Sequence, residues 1–183
     1  MTYPLHDLES APSDARPVLA EAKSMFGFVP NLMAVMASAP PLLKAYLELK
    51  DLFEETSFTP TEQQVVLLAA SSANQCEYCV AAHTVIAGMQ KVPPGVVDAI
   101  RDGRPIADTR LEALRRFTSA VVASRGNPSA EQLRQFHEAG YGERQVLEVI
   151  LGVGFKTLSN YTNHLAGTPL DAAFAKAAWI KAA

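Results

Sequence analysis

The chain holds two cysteines, and they stand three residues apart in Asn74-Gln-Cys76-Glu-Tyr78-Cys79-Val-Ala-Ala-His83. Positions three and four apart share a face of a helix, so Cys76, Cys79 and His83 form one polar line. The two thiols can reach disulfide distance if Cys76 sits in the first turn. His83, one turn beyond Cys79, is spaced to accept its proton. A free thiol titrates near ~8.5 and is mostly protonated at neutral pH, and a neighbouring base with a helix N-terminus raises the thiolate fraction. The chemistry this predicts is peroxide reduction. The Cys79 thiolate attacks the terminal oxygen and becomes a sulfenic acid. Cys76 then condenses with it to a disulfide, which an outside dithiol reduces.

Three other uses of these residues compete. Both cysteines can serve as small buried hydrophobes. A CxxC pair with a histidine can bind zinc, but a structural site needs four ligands, and His6, His137 and His164 show no paired spacing. A thioredoxin-like site needs a strand before the CxxC helix, and here a helix precedes it.

The elements that position this stretch read as helices throughout, with prolines and glycines between periodic segments. The first helix is expected from Asp14 to Phe26, capped by Ser13 and stopped by Gly27. Asn31 can cap a short apolar helix through Met33 and Met36. Pro40-Pro41 opens the next, with Leu42, Leu43, Tyr46, Leu47, Leu49, Lys50 and Phe53 in its stripe. Thr59-Pro60-Thr61-Glu62 has the form of a capping box and starts a helix to about Asn74. The CxxC helix runs from Gln75 or Cys76 to Met89. Further helices are expected from Pro93-Pro94 to Gly103, Asp108 to Arg125, Ser129 to Ala139, Glu143 to Leu165 and Leu170 to Lys181. No strand is evident, so the fold class is all-α with short connections. Residues 1–183 read as a single domain with its redox core at 59–90. Glu62 and His83 are 21 positions apart, as are Glu143 and His164, which hints at two pseudo-repeated halves. In that register Gln64 falls on Gln145, Val65 on Val146 and Cys79 on Asn160.

Composition narrows the class. The 183 residues are 49% hydrophobic and 19% charged, which excludes a disordered chain. The net charge of −3 disfavours a generic nucleic-acid binder. Two close thiols cannot staple a secreted scaffold. The longest purely apolar run, Val65 to Ala70, is six residues, against ~20 for a membrane span. No basic-then-apolar leader opens the chain. The expectation is a soluble, cytoplasmic protein without membrane or nucleic-acid partners.

The stretch from Glu62 to His83, Glu-Gln-Gln-Val-Val-Leu-Leu-Ala-Ala-Ser-Ser-Ala-Asn-Gln-Cys-Glu-Tyr-Cys-Val-Ala-Ala-His, resembles the core of the AhpD-like alkylhydroperoxidases of the carboxymuconolactone decarboxylase superfamily. Gly27-Phe-Val-Pro-Asn31-Leu, Ser159-Asn-Tyr-Thr-Asn163-His164 and Thr168-Pro-Leu-Asp171 are similar to its peroxidase-related subgroup. The resemblance implies an AhpD-like helical bundle and a homo-oligomer: dimer, trimer or hexamer. It implies that Cys79 is peroxidatic, that Cys76 is resolving and that His83 accepts the Cys79 proton. The family usually has a glutamate twelve residues before the first cysteine, where this chain has Gln64. Glutamine can orient the imidazole but cannot take a proton. Glu62 lies about 200° away around the helix. Glu148, in an apolar helix with Lys156, is a candidate replacement, although an ion pair or interface contact is its more ordinary use. Tyr78 stands where some members have another histidine. It can donate a hydrogen bond or pack.

Asn160, Asn163 and His164 can line the thiol pocket or make caps and interface bonds. Met25, Met33, Met36 and Met89, with Phe26 and Phe28, read as core or subunit-contact residues. His137 reads as solvent-facing and His6 as part of a mobile N-terminal segment. Phe174 and Trp179 read as anchors of the last helix.

The expected function is a thiol-dependent peroxidase for hydrogen peroxide or organic hydroperoxides. It needs no flavin, haem or metal cofactor, and its electrons come from a lipoyl-bearing or thioredoxin-like dithiol. Two alternatives stand beside it. One is a lactone-acid decarboxylase, whose chemistry does not need a CxxC pair. The other is a redox-sensing stress protein with low turnover, which Gln64 makes more credible.

Overall fold

The computed structural model describes residues 3–180, and among these there is no strand. The helices are α1 (Arg16–Phe26), α2 (Asn31–Met36), α3 (Pro40–Glu54), α4 (Pro60–Ala73), α5 (Glu77–Met89), α6 (Pro94–Arg101), α7 (Thr109–Ala123), α8 (Ala130–Glu138) and α9 (Glu143–Ala166). A 3-10 helix, Ala172–Ala177, follows. No helix among the described residues is long and apolar enough to cross a membrane.

Helix α4 is the hub. It packs against α5, α6, α7 and α9, and every residue from Glu62 to Ser71 is buried. A helix covered on all sides cannot show a single apolar stripe, and its sequence is accordingly apolar nearly all round. Its start is local chemistry. The Thr59 hydroxyl accepts from Glu62 N, while the Glu62 carboxylate accepts from Thr59 N at 2.9 Å. Helix α9 runs across α3 and α4. Gly152 permits that approach, since a Cβ there would lie 2.7 Å from Phe53 Cε2 and from Val66 Cγ1.

Three expected boundaries change. Helix α1 starts at Arg16, and Ser13 makes no cap. The backbone takes one more turn first, closed by Ala15 N on Pro12 O at 2.9 Å. Asn31 is the first residue of α2 rather than its cap. The capping oxygen comes from far along the chain, because Asn31 N donates to Asp171 Oδ1 at 3.1 Å. The expected helix from Leu170 is instead the short 3-10 helix, and its expected end, Lys181, lies outside the described residues. Tertiary ties override the helical preference of its alanines. Asp171 is held at α2, and Arg101 donates to the carbonyls of Ala177 at 3.0 Å and Ala178 at 3.1 Å. Trp179 Nε1 donates to Arg101 O at 2.8 Å, and buried Phe174 packs on Tyr78, so both aromatics anchor the segment to the body.

The two 21-position stretches differ locally. One is broken by the turn between α4 and α5, and the other lies within unbroken α9. The N-terminal segment is tied down as well, through His6 N to Ala34 O at 3.3 Å.

Candidate active site

The thiols are positioned by the end of α4. Gln75 adopts the left-handed region, with φ 58°. This reversal lets Cys76 N donate to Ser71 O at 2.9 Å, the closing bond of a helix C-terminal motif usually built on glycine. Cys76 thereby becomes the N-cap of α5, and Cys79 falls in its first turn. Both are free thiols, 0% and 1% exposed. An anion in the first turn of a helix is favoured by the unpaired N–H groups there.

The end of α9 closes over the pair. Asn163 Nδ2 donates to Cys79 Sγ at 3.2 Å and lies 3.7 Å from Cys76 Sγ. Asn160 accepts from Asn74 at 2.9 Å and contacts Ser71 at 3.5 Å. His164, the third polar residue expected there, is exposed. Burial is the largest influence on Cys79 and opposes its ionisation. A hydrogen bond from Cys76, the charge of Lys156 and hydrogen bonds from Ser159 and Asn160 outweigh it, so Cys79 ionises below the ordinary thiol range. The bond to Cys79 and then burial push Cys76 the other way. The two thiols are therefore biased in opposite directions, Cys79 toward the thiolate and Cys76 toward the thiol.

His83 lines the same cavity as Cys79, but its ring nitrogens are occupied. Nδ1 faces Gln64 Oε1 at 3.0 Å, and Nε2 faces Lys156 Nζ at 2.9 Å. The Gln64 amide nitrogen donates to Gln90 Oε1 at 3.0 Å, which turns its oxygen toward the ring. That network assigns the His83 proton to Nδ1 and leaves the Nε2 lone pair for the Lys156 ammonium. Burial first, then Lys156, holds the His83 pKa well below the usual imidazole value. The neighbour of His83 is thus a buried lysine that the sequence places only beside Glu148.

The replacement carboxylates lie elsewhere. Glu148 accepts from Ser57 N at 2.9 Å and Arg144 Nε at 2.8 Å, and it does not meet Lys156. Glu62 is spent on its capping box and on Tyr141 OH at 3.0 Å. Tyr78 is a structural tie. Its hydroxyl donates to Asp171 Oδ2 at 2.5 Å and accepts from Leu32 N at 3.3 Å. Burial and then Asp171 raise its pKa, which keeps it a donor. His137 is exposed, as expected.

Cys79, His83 and Lys156 meet at a cavity of about 660 Å³, whose lining does not include Cys76. Its walls are largely aromatic and apolar: Tyr46, Phe53 and Phe155 on one side, Phe174 on another. Met25, Met33, Met89, Phe26 and Phe28, expected in core or subunit contacts, line it too, while Met36 is core. Among the described residues, no group of three or more His, Cys, Asp or Glu side chains could hold a metal ion.

An all-helical bundle with a CxxC pair beside a largely apolar cavity defines a class of thiol-site proteins. The carboxymuconolactone decarboxylase family model matches residues 40–120, and the all-helical fold is AhpD-like. The fold is similar to the alkylhydroperoxidase AhpD core of a peroxidase-related protein from Ralstonia eutropha JMP134, with 26% identity and a TM-score of 0.82 over 94% of this chain and 93% of that one. A peroxidase-related protein from Silicibacter sp. TM1040 is 17% identical, with a TM-score of 0.79 over 95% and 92%. A cysteine-to-alanine variant of the debrominase Bmp8, in complex with 2,3,4-tribromopyrrole, is 20% identical, with a TM-score of 0.79 over 97% and 95%. Comparison with curated proteins gives no match.

Proposed function

We propose that the protein is a thiol-dependent peroxidase that reduces organic hydroperoxides and hydrogen peroxide. The observation that carries this reading is the asymmetry of the thiol pair. Cys79 lines the cavity and is biased toward the thiolate, while Cys76 sits behind it and is biased toward the thiol. A peroxidatic and a resolving cysteine need that division. Attack by Cys79 forms an S–O bond and breaks the O–O bond. Condensation with Cys76 releases water. A lipoyl-bearing or thioredoxin-like dithiol then returns both sulfurs to the reduced state. Leu147, Ile150, Tyr161 and Leu165, exposed along α9, support a homo-oligomer.

The test is mass-spectrometric titration of the reduced protein with alkyl hydroperoxides, followed by candidate dithiols. The expected product is a Cys76–Cys79 disulfide that the dithiol clears. Cys79→Ser should abolish turnover, and Cys76→Ser should trap a sulfenate. Full peroxidase activity in Cys79→Ser would sink the reading.

The aromatic walls of the cavity favour one second reading, a thiol-dependent reductive dehalogenase for a small aromatic ring. Incubation with bromopyrroles and a dithiol, with bromide release as readout, separates it from peroxide reduction.

A further inference from the structure

Lys156 is 1% exposed, in the middle of α9. Its Nζ lies 2.9 Å from His83 Nε2, and it lines the cavity beside Cys79. No carboxylate among the described residues makes an ion pair with it. A buried cation without a counter-charge costs several kcal/mol, so the elements around it must supply one. Helix α4 offers only the amides of Gln63 and Gln64 to this cavity. Helix α3 offers Tyr46, whose phenol is raised first by burial and then by the two cysteines. Lys50 and Glu54, also on α3, are paired with each other at 3.0 Å. Helix α5 and its cap offer His83, Cys76 and Cys79. His83 is engaged through its lone pair, and Cys76 is the thiol of the pair. The remaining partner is Cys79.

We propose that Lys156 is a catalytic residue, the counter-ion of the Cys79 thiolate in the reduced protein and the acid that protonates the leaving oxygen. The proposal rests on the peroxidase reading above. In the first step Cys79–S⁻, R–O–O–H and Lys156–NH₃⁺ become Cys79–S–OH, R–OH and Lys156–NH₂. Sulfur gives up the electron pair, and the departing alkoxide takes the lysine proton. In the second step Cys79–S–OH and Cys76–SH become the disulfide and water, with no net proton change. In the third step an external dithiol gives up two electrons and two protons. The protons end on Cys76 and Lys156, and Cys79 leaves as thiolate. The buried site is electrically neutral before and after each step, so no stage strands a charge away from water. Gln64 fits this scheme, because a carboxylate in its place would add an anion that the site has no cation to balance.

Three measurements test it. Iodoacetamide alkylation of Cys79 needs only the thiolate. At pH 7 Lys156→Met should slow it at least about tenfold, the loss of thiolate when a thiol titrates about one unit above the assay pH. Lys156→Arg keeps the cation but cannot release its proton. It should alkylate near the wild-type rate and yet lose about 10²-fold in alkyl hydroperoxide reduction, the contribution of a general acid. The same variant should retain its rate with a peracid, whose carboxylate leaving group needs no proton. A purely structural lysine would not separate these substrates. The third measurement uses wild-type protein alone and survives any failure of the variants to fold. The pH dependence of the disulfide midpoint potential, over the range where thiolate absorbance shows Cys79 ionised, should report two protons taken up per two electrons. One proton per two electrons would overturn the proposal. So would wild-type alkylation in Lys156→Met, or wild-type alkyl hydroperoxide kinetics in Lys156→Arg. If no peroxide oxidises the wild type, the peroxidase reading fails, and alkylation and the proton count still decide the Lys156–Cys79 pairing.

Discussion

The side-chain oxygen of Gln64 lies 3.0 Å from Nδ1 of His83, and the same amide donates to Gln90 at 3.0 Å. The second bond orients the first, so His83 presents a lone pair, not a proton, to Lys156. Gln64→Glu should reverse this. A carboxylate at hydrogen-bond distance favours the imidazolium, by about one to three pH units. NMR titration of the ring should show His83 gaining its proton at clearly higher pH than in the wild type. An unmoved titration would contradict the Nδ1–H assignment.

Stability should fall in mild acid. Unfolded histidine binds its proton near ~6.5, whereas buried His83 binds one only at lower pH. Its contribution is present above the unfolded value and is lost as pH falls toward the folded one. Cys79 has the same sign, because its folded value is also depressed. Cys76 has the opposite sign, with its contribution present below the unfolded thiol value and lost as pH rises through the folded one. Each extra proton bound by the unfolded chain gives a slope of about 1.4 kcal/mol per pH unit. Denaturant midpoints from pH 7.5 to 5 should decline throughout, since the unfolded Cys79 thiol is protonated below about 8.5, and more steeply from about 6.5 downward, the unfolded histidine value. His83→Asn should flatten that decline, and an unchanged slope would show that another group governs it.

Tyr78→Phe should cost about 1.5–3 kcal/mol, the range for a hydrogen bond to a charged group. It removes the donor to Asp171 and the acceptor for Leu32 N. Hydrogen exchange should accelerate at Leu32 and in the segment around Asp171. Alkylation of Cys79 should keep its rate, since Tyr78 fixes the frame and is not the base. A collapse of thiol reactivity with unchanged stability would reverse that assignment.

Gln75→Gly should stabilise the protein. A side chain in the left-handed region costs about 1–2 kcal/mol, and Gln75 sits there with φ 58°. The gain is partly offset by the greater freedom of glycine in the unfolded chain. A net rise in denaturant midpoint is expected, with the thiol reactivity retained.

Gly152→Ala should destabilise by about 1–3 kcal/mol through overpacking. The added methyl would meet Phe53 and Val66 at 2.7 Å. Phe53 also lines the cavity, so the same change should alter turnover with bulky hydroperoxides. Chemical denaturation and a comparison of bulky with small peroxides read the two effects separately.

The legible parts of the sequence are those where cause and effect lie within a few residues. The Thr59–Glu62 capping box and the start of α5 at Cys76 are of this kind. The misread parts depend on distant partners. Lys156 reads as a mate for Glu148, but eight residues of helix span about two turns and 12 Å. Its partner is His83, 73 residues away, and no local spacing signals that. Asn31 reads as a cap because nothing near it reveals Asp171, 140 positions on. The alanines after Leu170 read as helix, and Arg101 and Asp171 decide otherwise.

The cavity wall joins residues from both ends of the chain. Met25, Phe26 and Phe28 come from its first part, and Ala173 and Phe174 from its last. Asp171 holds the two together at Asn31 and Tyr78. During synthesis the thiols therefore emerge from the ribosome long before their wall is complete. A nascent chain carries a naked dithiol until the final segment docks, so premature thiol oxidation is a hazard of its assembly.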